Sequence, residues 1–528
     1  MSAAEDRRRA GELLAQARRL MALQRTHEAI PLLNEALECD PASAPLRYQV
    51  GALAVRQGEL ATALRHLTLC VGSAPDHAAA WSQIGACHML GRRYDEAAEA
   101  YGRAREGSGE GNGPSWRLAR ALRLCGRLAE AERAMLEVYR AGSVETAAAH
   151  EHAVLRMALG QRETAAAIWG QLAGLSGESL VGATARARLA MLRDGPVAAP
   201  DARRVAFHLK AAFHEAVVTP GWMACRGRHE VLVSHDAEEL VAFDPQVIVA
   251  CDSHLAGLQR LMPRAITVQT RHGMGSKGHA ATLARTCDYL CLSHGRQEAF
   301  FTCQGIRPAR GFWPIGYLQL DPLLNGSLPP AEVPRLPGRP LVLFAPTIGD
   351  SVSALGMLGD DPVAALRPRA EDFTLVIKAH PETRMRHPDW WRALCASAAN
   401  HDHVALVEEA SRDIMPYVAA CDLMVTDVSS VMFFAVAIDR PLVLLSNPAR
   451  HARPERFDPA GPEWRWRSIG EEVEDAARLP GAIAGALAEP GRRAEARRSC
   501  REEMLGDLTD GHAGERLARR IADLVPDA

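Results

Sequence analysis

The sequence lacks several features that would place it in common functional classes. It has no Cys-x-x-Cys pair among its twelve cysteines, no spacing of zinc ligands and no Asp-x-Asp motif. The scattered cysteines predict free thiols in a reducing cytosol rather than a disulfide framework. We therefore expect no metal site and no cofactor.

The chain also lacks long apolar runs and a strong charge of one sign. No stretch of about 18 uninterrupted apolar residues occurs, and residues 1–9 are not followed by an apolar core of signal type. The net charge of −3 provides no broad basic surface, so nucleic acid is not an expected partner. We expect a cytoplasmic protein, at most peripheral on the inner face of the cell membrane.

A repeat with a period of 34 residues occupies the first part of the chain. Alanine stands at five positions with this spacing, and a large apolar residue follows four positions later each time. The pairs are Ala29 and Leu33, Ala63 and Leu67, Ala97 and Tyr101, Ala131 and Met135, and Ala165 and Trp169. Small residues allow paired helices to approach closely, and large residues fill the gap to the next unit. The sequence predicts five helical hairpins and a capping helix at 179–193.

The third unit identifies the type of repeat. Trp81-x-x-Ile84-Gly85, followed by Ala97 and Tyr101, resembles the tetratricopeptide (TPR) pattern. We therefore expect a TPR α-solenoid over residues 1–195. Its concave surface is expected to bind a protein partner or an acceptor, and the alternative is a spacer or a support for oligomerisation.

Short apolar runs separated by helical stretches follow a Gly/Pro-rich linker at 194–200. Six such runs lie between 205 and 315, and five more lie between 341 and 445, with a proline-rich segment at 325–340 between the two sets. Alternation of strands and helices predicts parallel sheets covered on both faces. We predict two doubly wound lobes, 196–335 and 336–528, with ligands bound at the carboxyl ends of the strands.

A glycine turn follows the fourth predicted strand of the first lobe. It carries His272, Gly273 and Lys277, and the spacing of Gly273, Gly275 and Gly278 matches GxGxxG. The dinucleotide fingerprint normally follows the first strand, so this position disfavours dinucleotide binding. Phosphate binding or acid–base chemistry is the functional interpretation, and a loop histidine without a role is the alternative.

Polar residues also follow the predicted strands of the second lobe. Lys378 and His380 share one face of a strand end because side chains alternate, and the pair suits an anion. A solvated strand end without a ligand is the alternative. Ser429 and Ser430 stand where a helix N-cap is expected, so they serve as caps, as phosphate ligands or as both. Arg516, at the start of the last predicted helix, is either a phosphate ligand or a surface arginine.

In this order the motifs resemble the CDP-glycerol poly(glycerophosphate) glycerophosphotransferases, a family of bacterial wall-polymer enzymes with the GT-B fold. The resemblance covers about 203–524. The matching elements are His272-Gly273 with Lys277, Gly316-Tyr317 with Asp321-Pro322, Ala345-Pro346-Thr347, Lys378-Ala379-His380-Pro381, Thr426-Asp427-Val428-Ser429-Ser430, and Asp510-Gly511 with Ala513, Glu515 and Arg516. The sequence departs from the family at Arg271, Ile348, Gly349 and His512, where the donor or acceptor would be recognised.

The resemblance implies a two-lobed GT-B transferase behind the TPR array, an α + α/β protein. It would move glycerol phosphate, or a similar alditol phosphate, from a CDP-linked donor to an acceptor hydroxyl of a polymer, a lipid-linked molecule or a protein, with release of CMP. His272 and His380 are then the catalytic residues, with His272 as general base. The implied donor-binding residues are Gly273, Lys277, Thr347, Lys378, Thr426, Asp427, Ser429, Ser430, Glu515 and Arg516.

Two other functions are compatible with the sequence. One is a GT-B glycosyltransferase that uses a nucleotide sugar, since TPR units before two lobes resemble protein O-GlcNAc transferases in architecture. The other is a non-catalytic TPR adaptor. The transferase hypothesis predicts that His272 and His380 face each other across the cleft between the lobes.

Overall fold

The computed structural model describes residues 3–22, 26–107, 115–140, 145–175, 179–194, 202–251, 255–271, 273, 286–331, 333, 336–367, 372–409, 413–452 and 459–524. An array of paired helices comes first. Its helices are α1 (Ala3–Ala22), α2 (Thr26–Cys39), α3 (Ala44–Arg56), α4 (Leu60–Ser73), α5 (Ala78–Leu90), α6 (Tyr94–Glu106), α7 (Ser115–Leu124), α8 (Leu128–Arg140), α9 (Thr146–Ala158), α10 (Arg162–Ala173) and α11 (Leu180–Asp194).

The small and large residues of the repeat pattern are direct neighbours in the array. A Cβ atom added at Gly51 would lie 2.5 Å from the side chain of Leu67, and one added at Gly85 would lie 2.6 Å from the ring of Tyr101. The two helices of a unit can therefore pack closely only because these positions are small. The predicted TPR array is confirmed, and α11 provides its capping helix.

The first lobe contains a six-stranded parallel sheet in the order β2-β1-β3-β4-β5-β6. Its strands are β1 (Arg204–His208), β2 (Glu230–Ser234), β3 (Val247–Cys251), β4 (Ile266–Thr270), β5 (Tyr289–Leu292) and β6 (Gly311–Pro314). Its helices are α12 (His214–Cys225), α13 (Ala237–Phe243), α14 (Ala256–Leu261) and α15 (Gln297–Cys303). Val205 and Phe207 belong to one apolar core and Ala206 to another, so both faces of the sheet are covered.

The second lobe contains a six-stranded parallel sheet in the order β12-β11-β10-β7-β8-β9. Its strands are β7 (Leu341–Ala345), β8 (Thr374–Ile377), β9 (Val404–Leu406), β10 (Leu423–Thr426), β11 (Leu442–Leu445) and β12 (Glu471–Val473). The remaining helices are α16 (Asp321–Leu324), α17 (Pro362–Leu366), α18 (Thr383–Arg386), α19 (Pro388–Asn400), α20 (Met415–Ala420), α21 (Met432–Ala437), α22 (Pro462–Arg465), α23 (Leu479–Ala488), α24 (Ala494–Met504) and α25 (Ala513–Ala522). The two predicted doubly wound lobes are confirmed.

The last helix does not pack where the predicted domain boundary places it. Leu517, Ala518 and Ile521 of α25 share an apolar core with Val217 and Trp222 of α12. The predicted second lobe, 336–528, is therefore wrong for its final segment, which packs on the first lobe. The physical reason is the apolar stripe of α25, whose buried face is completed by α12 rather than by the second sheet.

The array packs against the first lobe through the start of α13. The guanidinium of Arg120 on α7 donates hydrogen bonds to Glu151 at 2.8 Å, to Asp236 at 2.6 Å and to Glu238 at 3.0 Å. The Arg120 side chain is buried and lies within one ion network with these three carboxylates. A buried charge of this kind requires such partners, because desolvation of an unpaired ion is costly.

The first helices of successive repeats form the face that receives α13. Leu90 of α5 packs into an apolar core with Leu240 and Val241. On α9, His150 Nε2 lies 2.8 Å from the carboxylate of Glu239. The surface predicted to bind a partner is therefore covered in part by the protein's own first lobe.

Candidate active site in the interlobe cleft

The carboxyl ends of β7, β8 and β10 meet the start of α12 around a cavity of about 130 Å³. Residues from both lobes line it, including Phe213 and Val217 at the first-lobe side. Its polar lining comprises Gln319, Lys378, His380, Asp413, Ser429 and Ser430. The structure thus brings four of the predicted site residues into one cleft: Lys378, His380, Ser429 and Ser430.

Lys378 and His380 reach the cavity from the end of β8. Lys378 is buried, with 5% of its surface exposed, and it is one of three lysines in the chain. The backbone amide of Glu382 donates a 3.2 Å hydrogen bond to Nδ1 of His380. A neutral imidazole has one donor and one acceptor nitrogen, so this bond leaves Nε2 as the donor. The pair therefore presents an ammonium and an N–H group to an anion.

Thr426 and Asp427 lie behind the cavity wall. Both are fully buried, and the carboxylate of Asp427 accepts hydrogen bonds from the amides of Thr347 at 3.0 Å and Ala354 at 2.8 Å. The hydroxyl of Thr426 donates to the carbonyl of Ala345 at 2.6 Å. These bonds fix the loop after β7, and the donor contact of Thr347, Thr426 and Asp427 stays a prediction.

Arg467 forms hydrogen bonds at the carboxyl ends of β10 and β11. Its guanidinium donates to the carbonyl of Asp427 at 3.1 Å and to that of Leu445 at 2.8 Å. Burial lowers the pKa of Arg467 to about 10. The sequence gives no signal for this residue, because it lies 40 positions beyond the motif that it supports.

Ser429 and Ser430 do not cap a helix, in contrast to the prediction. The cap position of α21 is Val431, and no side chain caps that helix. A turn precedes the helix, in which the amide of Met432 donates to the carbonyl of Ser429 at 3.2 Å. Both serines instead line the cavity.

The turn of Ser429 and Ser430 touches the glycine turn of the first lobe. A Cβ atom added at Gly273 would lie 2.9 Å from Oγ of Ser430, so the two turns are in direct contact. His272 and Lys277 lie outside the described residues. The prediction that His272 faces His380 therefore stays a prediction, while its neighbour Gly273 does meet the second lobe at the cleft.

Glu515 and Arg516 are not part of this cavity. The guanidinium of Arg516 donates to the carbonyl of Ile315 at 3.1 Å and contacts the carboxylate of Asp510. Glu515 is exposed and lies 3.0 Å from the ring of His512. The docking of α25 on the first lobe accounts for both positions, and the donor-binding role of these residues stays a prediction.

Two cavity residues were not identified from the sequence. Nε2 of Gln319 donates to Oδ1 of Asp413 at 3.1 Å, which links the two lobes. Burial raises the pKa of the Asp413 carboxyl. Hydrogen bonds from the amide of Met415 and the side chain of Gln319 lower this pKa by a smaller amount. Gln319 belongs to no sequence motif, and for Asp413 the sequence predicts only the start of a helix.

Two parallel-sheet lobes that face each other across a cleft lined by strand ends define the GT-B fold. Residues 262–523 match the family model of the CDP-Glycerol:Poly(glycerophosphate) glycerophosphotransferases. This part of the chain, just under half of it, therefore resembles a family of transferases. The resemblance inferred from the motifs is thereby confirmed.

Several solved structures are similar to parts of the chain. The wall teichoic acid polymerase TagF is 12% identical, covers 72% of this chain and 98% of its own, and has a TM-score of 0.43. A putative UDP-N-acetylglucosamine 2-epimerase from Listeria monocytogenes is 13% identical, covers 61% and 95%, and has a TM-score of 0.40. The type IV pilus biogenesis factor PilW is 19% identical, covers 31% and 77%, and has a TM-score of 0.29. No curated protein matches the chain.

The described part of the chain contains no helix with the length and apolar content that crossing a bilayer requires.

Proposed function

We propose that this protein transfers glycerol phosphate, or a similar alditol phosphate, from a CDP-linked donor to an acceptor hydroxyl and releases CMP. The observation that carries the proposal is the meeting of Gly273 with Ser430, beside Lys378 and His380, in one cleft. The match of residues 262–523 to the glycerophosphotransferase family model supports the same reaction.

Phosphoryl transfer depends mainly on positioning and on stabilisation of charge. In the proposed mechanism, the ammonium of Lys378 and Nε2–H of His380 bind the donor diphosphate. The hydroxyls of Ser429 and Ser430 donate to its non-bridging oxygens. The acceptor oxygen forms a bond to the β-phosphorus while the bond from that phosphorus to CMP breaks.

His272 is the proposed general base that takes the proton of the acceptor hydroxyl. General base catalysis contributes about 10²–10⁴-fold to a rate, so His272→Ala should lower turnover by about that factor and leave the fold intact. Equal turnover in this variant would remove His272 from the mechanism. Thr347, Thr426, Asp427 and Arg467 enter the proposal as residues that position the loops of the site.

The donor can be tested with the full chain, CDP-glycerol and a measurement of released CMP. Thermal shifts with CDP, UDP, CDP-alditols and UDP-sugars should show stabilisation by the CDP compounds, because a ligand at 100 times its Kd adds about 2.7 kcal/mol. Lys378→Met should lose both the shift and CMP release. Lys210→Met, at the exposed end of β1, is the matched control and should keep both.

Two outcomes would contradict the proposal. Stabilisation by a UDP-sugar, with release of UDP, would indicate a glycosyltransferase. The absence of any response to nucleotides would indicate a non-catalytic adaptor.

A further inference from the structure

A second and larger cavity, of about 790 Å³, adjoins the proposed active site. Its wall includes the turn after α10 in the last repeat, one side of α12 and the segment between the lobes. Second-lobe residues such as Glu409 and Asp413 and the start of α25 also line it. Ala216 and Asp413 line both cavities. A molecule bound in the larger cavity therefore lies next to the residues proposed to hold the donor phosphates.

The larger cavity is acidic. Five carboxylates line it, but only one guanidinium, that of Arg186. The carboxylates are those of Glu215, Asp321, Glu409, Asp413 and Glu515. Arg186 is already bonded to both carboxylate oxygens of Glu215 at 2.9 and 3.0 Å. The cavity thus favours a cation and disfavours a polyanion, since like charges oppose binding.

The same cavity has an aliphatic wall. Leu175 from the last repeat, Met223 from α12 and Leu328 from the interlobe segment contribute apolar surface, and 40% of Met223 is exposed. The described lining residues include no aromatic ring. Lysine and arginine side chains suit such a site, because they lay their methylene stems on apolar surface and keep their charge near polar groups.

We infer that this cavity binds the acceptor, and that the acceptor is a peptide segment with lysine or arginine side chains and a serine or threonine hydroxyl. The inference rests on the proposed function and names its acceptor class. The peptide hydroxyl oxygen forms the new bond to phosphorus, CMP leaves with the electrons of the broken bond, and the hydroxyl proton passes to the general base. The end of the TPR array then forms part of the substrate site, while its inner face holds α13.

The test uses the full chain and two fluorescein-labelled nonapeptides, one of lysine, leucine and serine and one with glutamate in place of lysine. Fluorescence anisotropy should give at least about tenfold tighter binding for the lysine peptide, and added salt should reduce the difference. Met223→Arg and Leu175→Arg should each weaken that binding by about tenfold or more. Met385→Arg is the matched control, since Met385 is 75% exposed and does not line the cavity; it should bind like the wild type.

Thermal shift by CDP, measured on the same samples, separates this inference from the proposed function and shows that each variant is folded. A normal CDP shift without selective binding of the lysine peptide would overturn the acceptor inference alone. Tighter binding of the glutamate peptide, of poly(glycerophosphate) or of a neutral oligosaccharide would also overturn it. So would unchanged binding in both arginine variants. Selective binding of the lysine peptide without a CDP shift would support the cavity and contradict the CDP-linked donor.

Discussion

The carboxylate of Asp321 accepts a 2.7 Å hydrogen bond from the amide of Gly514, which lies 193 positions later in the chain. Its other oxygen accepts the amide of Ala513 at 2.9 Å. Asp321 lies just after the first lobe's last strand, and the two amides begin α25. Two separate motifs of the family resemblance are therefore one structural unit, which fixes the last helix on the first lobe.

Substitution of Asp321 should weaken this unit. Asp321→Asn replaces one acceptor oxygen with an amide donor that faces a backbone N–H group. We expect the free energy of unfolding in urea to fall by about 1–3 kcal/mol, the cost of unsatisfied buried groups. Asp523→Asn, at the exposed end of α25, should leave it unchanged; equal effects of the two variants would contradict this role.

The close approach of α25 to α12 predicts a second effect on stability. A Cβ atom at Gly514 would lie 2.4 Å from the carbonyl oxygen of Pro220, so Gly514→Ala should cost about 1–3 kcal/mol through overpacking. Gly485 of α23 has no neighbour within 4 Å of such an atom. Gly485→Ala should therefore stabilise the protein by about 0.5–1 kcal/mol. Thermal unfolding of the two variants checks the opposite signs.

The ion network at Arg120 should contribute strongly to stability. Arg120→Ala leaves the fully buried Glu151 with Arg123 alone and removes the guanidinium partner of Asp236 and Glu238. Breaking a buried pair costs up to about 3–5 kcal/mol, and the remaining contact with Arg123 should place the loss at or below the lower end. Arg127→Ala, which removes an exposed pair with Glu130, is the matched control and should have a much smaller effect. Similar unfolding midpoints for both variants would show that the network does not stabilise the contact between array and lobe.

Two substitutions at His380 should differ in their effect on catalysis. Glutamine can place an N–H donor near the position of Nε2, whereas asparagine places its polar atoms near Nδ1. If Nε2–H binds the donor phosphate, His380→Gln should retain about tenfold more kcat/KM for CMP release than His380→Asn, as expected for one hydrogen bond to a charged group. Equal losses, with unchanged melting temperatures, would count against this role for Nε2.

The pH dependence of stability should report on His208, at the end of β1. Burial lowers the pKa of its imidazole to about 4, whereas the unfolded chain binds this proton near a pKa of about 6.5. The unfolded state therefore holds more protons between these values, and the free energy of unfolding falls as the pH decreases from 6.5 towards 4. In His208→Gln the loss between pH 7 and pH 4.5, measured in urea, should be smaller by about 2 kcal/mol. The same loss as in the wild type would show that His208 does not titrate in this way.

The strands were predictable because each is a short apolar run between turn-forming residues. All eleven predicted runs are strands, such as Glu230–Ser234 and Leu423–Thr426. Strand β12, Glu471–Val473, was missed because it has three residues, two of them charged. The sequence motif of Asp427 predicts a role at the cleft, but only the fold shows that its carboxylate points into the protein. Contacts such as that of Arg120 with Asp236 join distant parts of the chain and leave no local signal.

The seating of α13 on the repeats has a consequence for motion between the lobes. Because the array binds α13 and α25 binds α12, the first lobe, the repeats and the last helix form one continuous body. Any change in the width of the cleft would then displace the second lobe against this body.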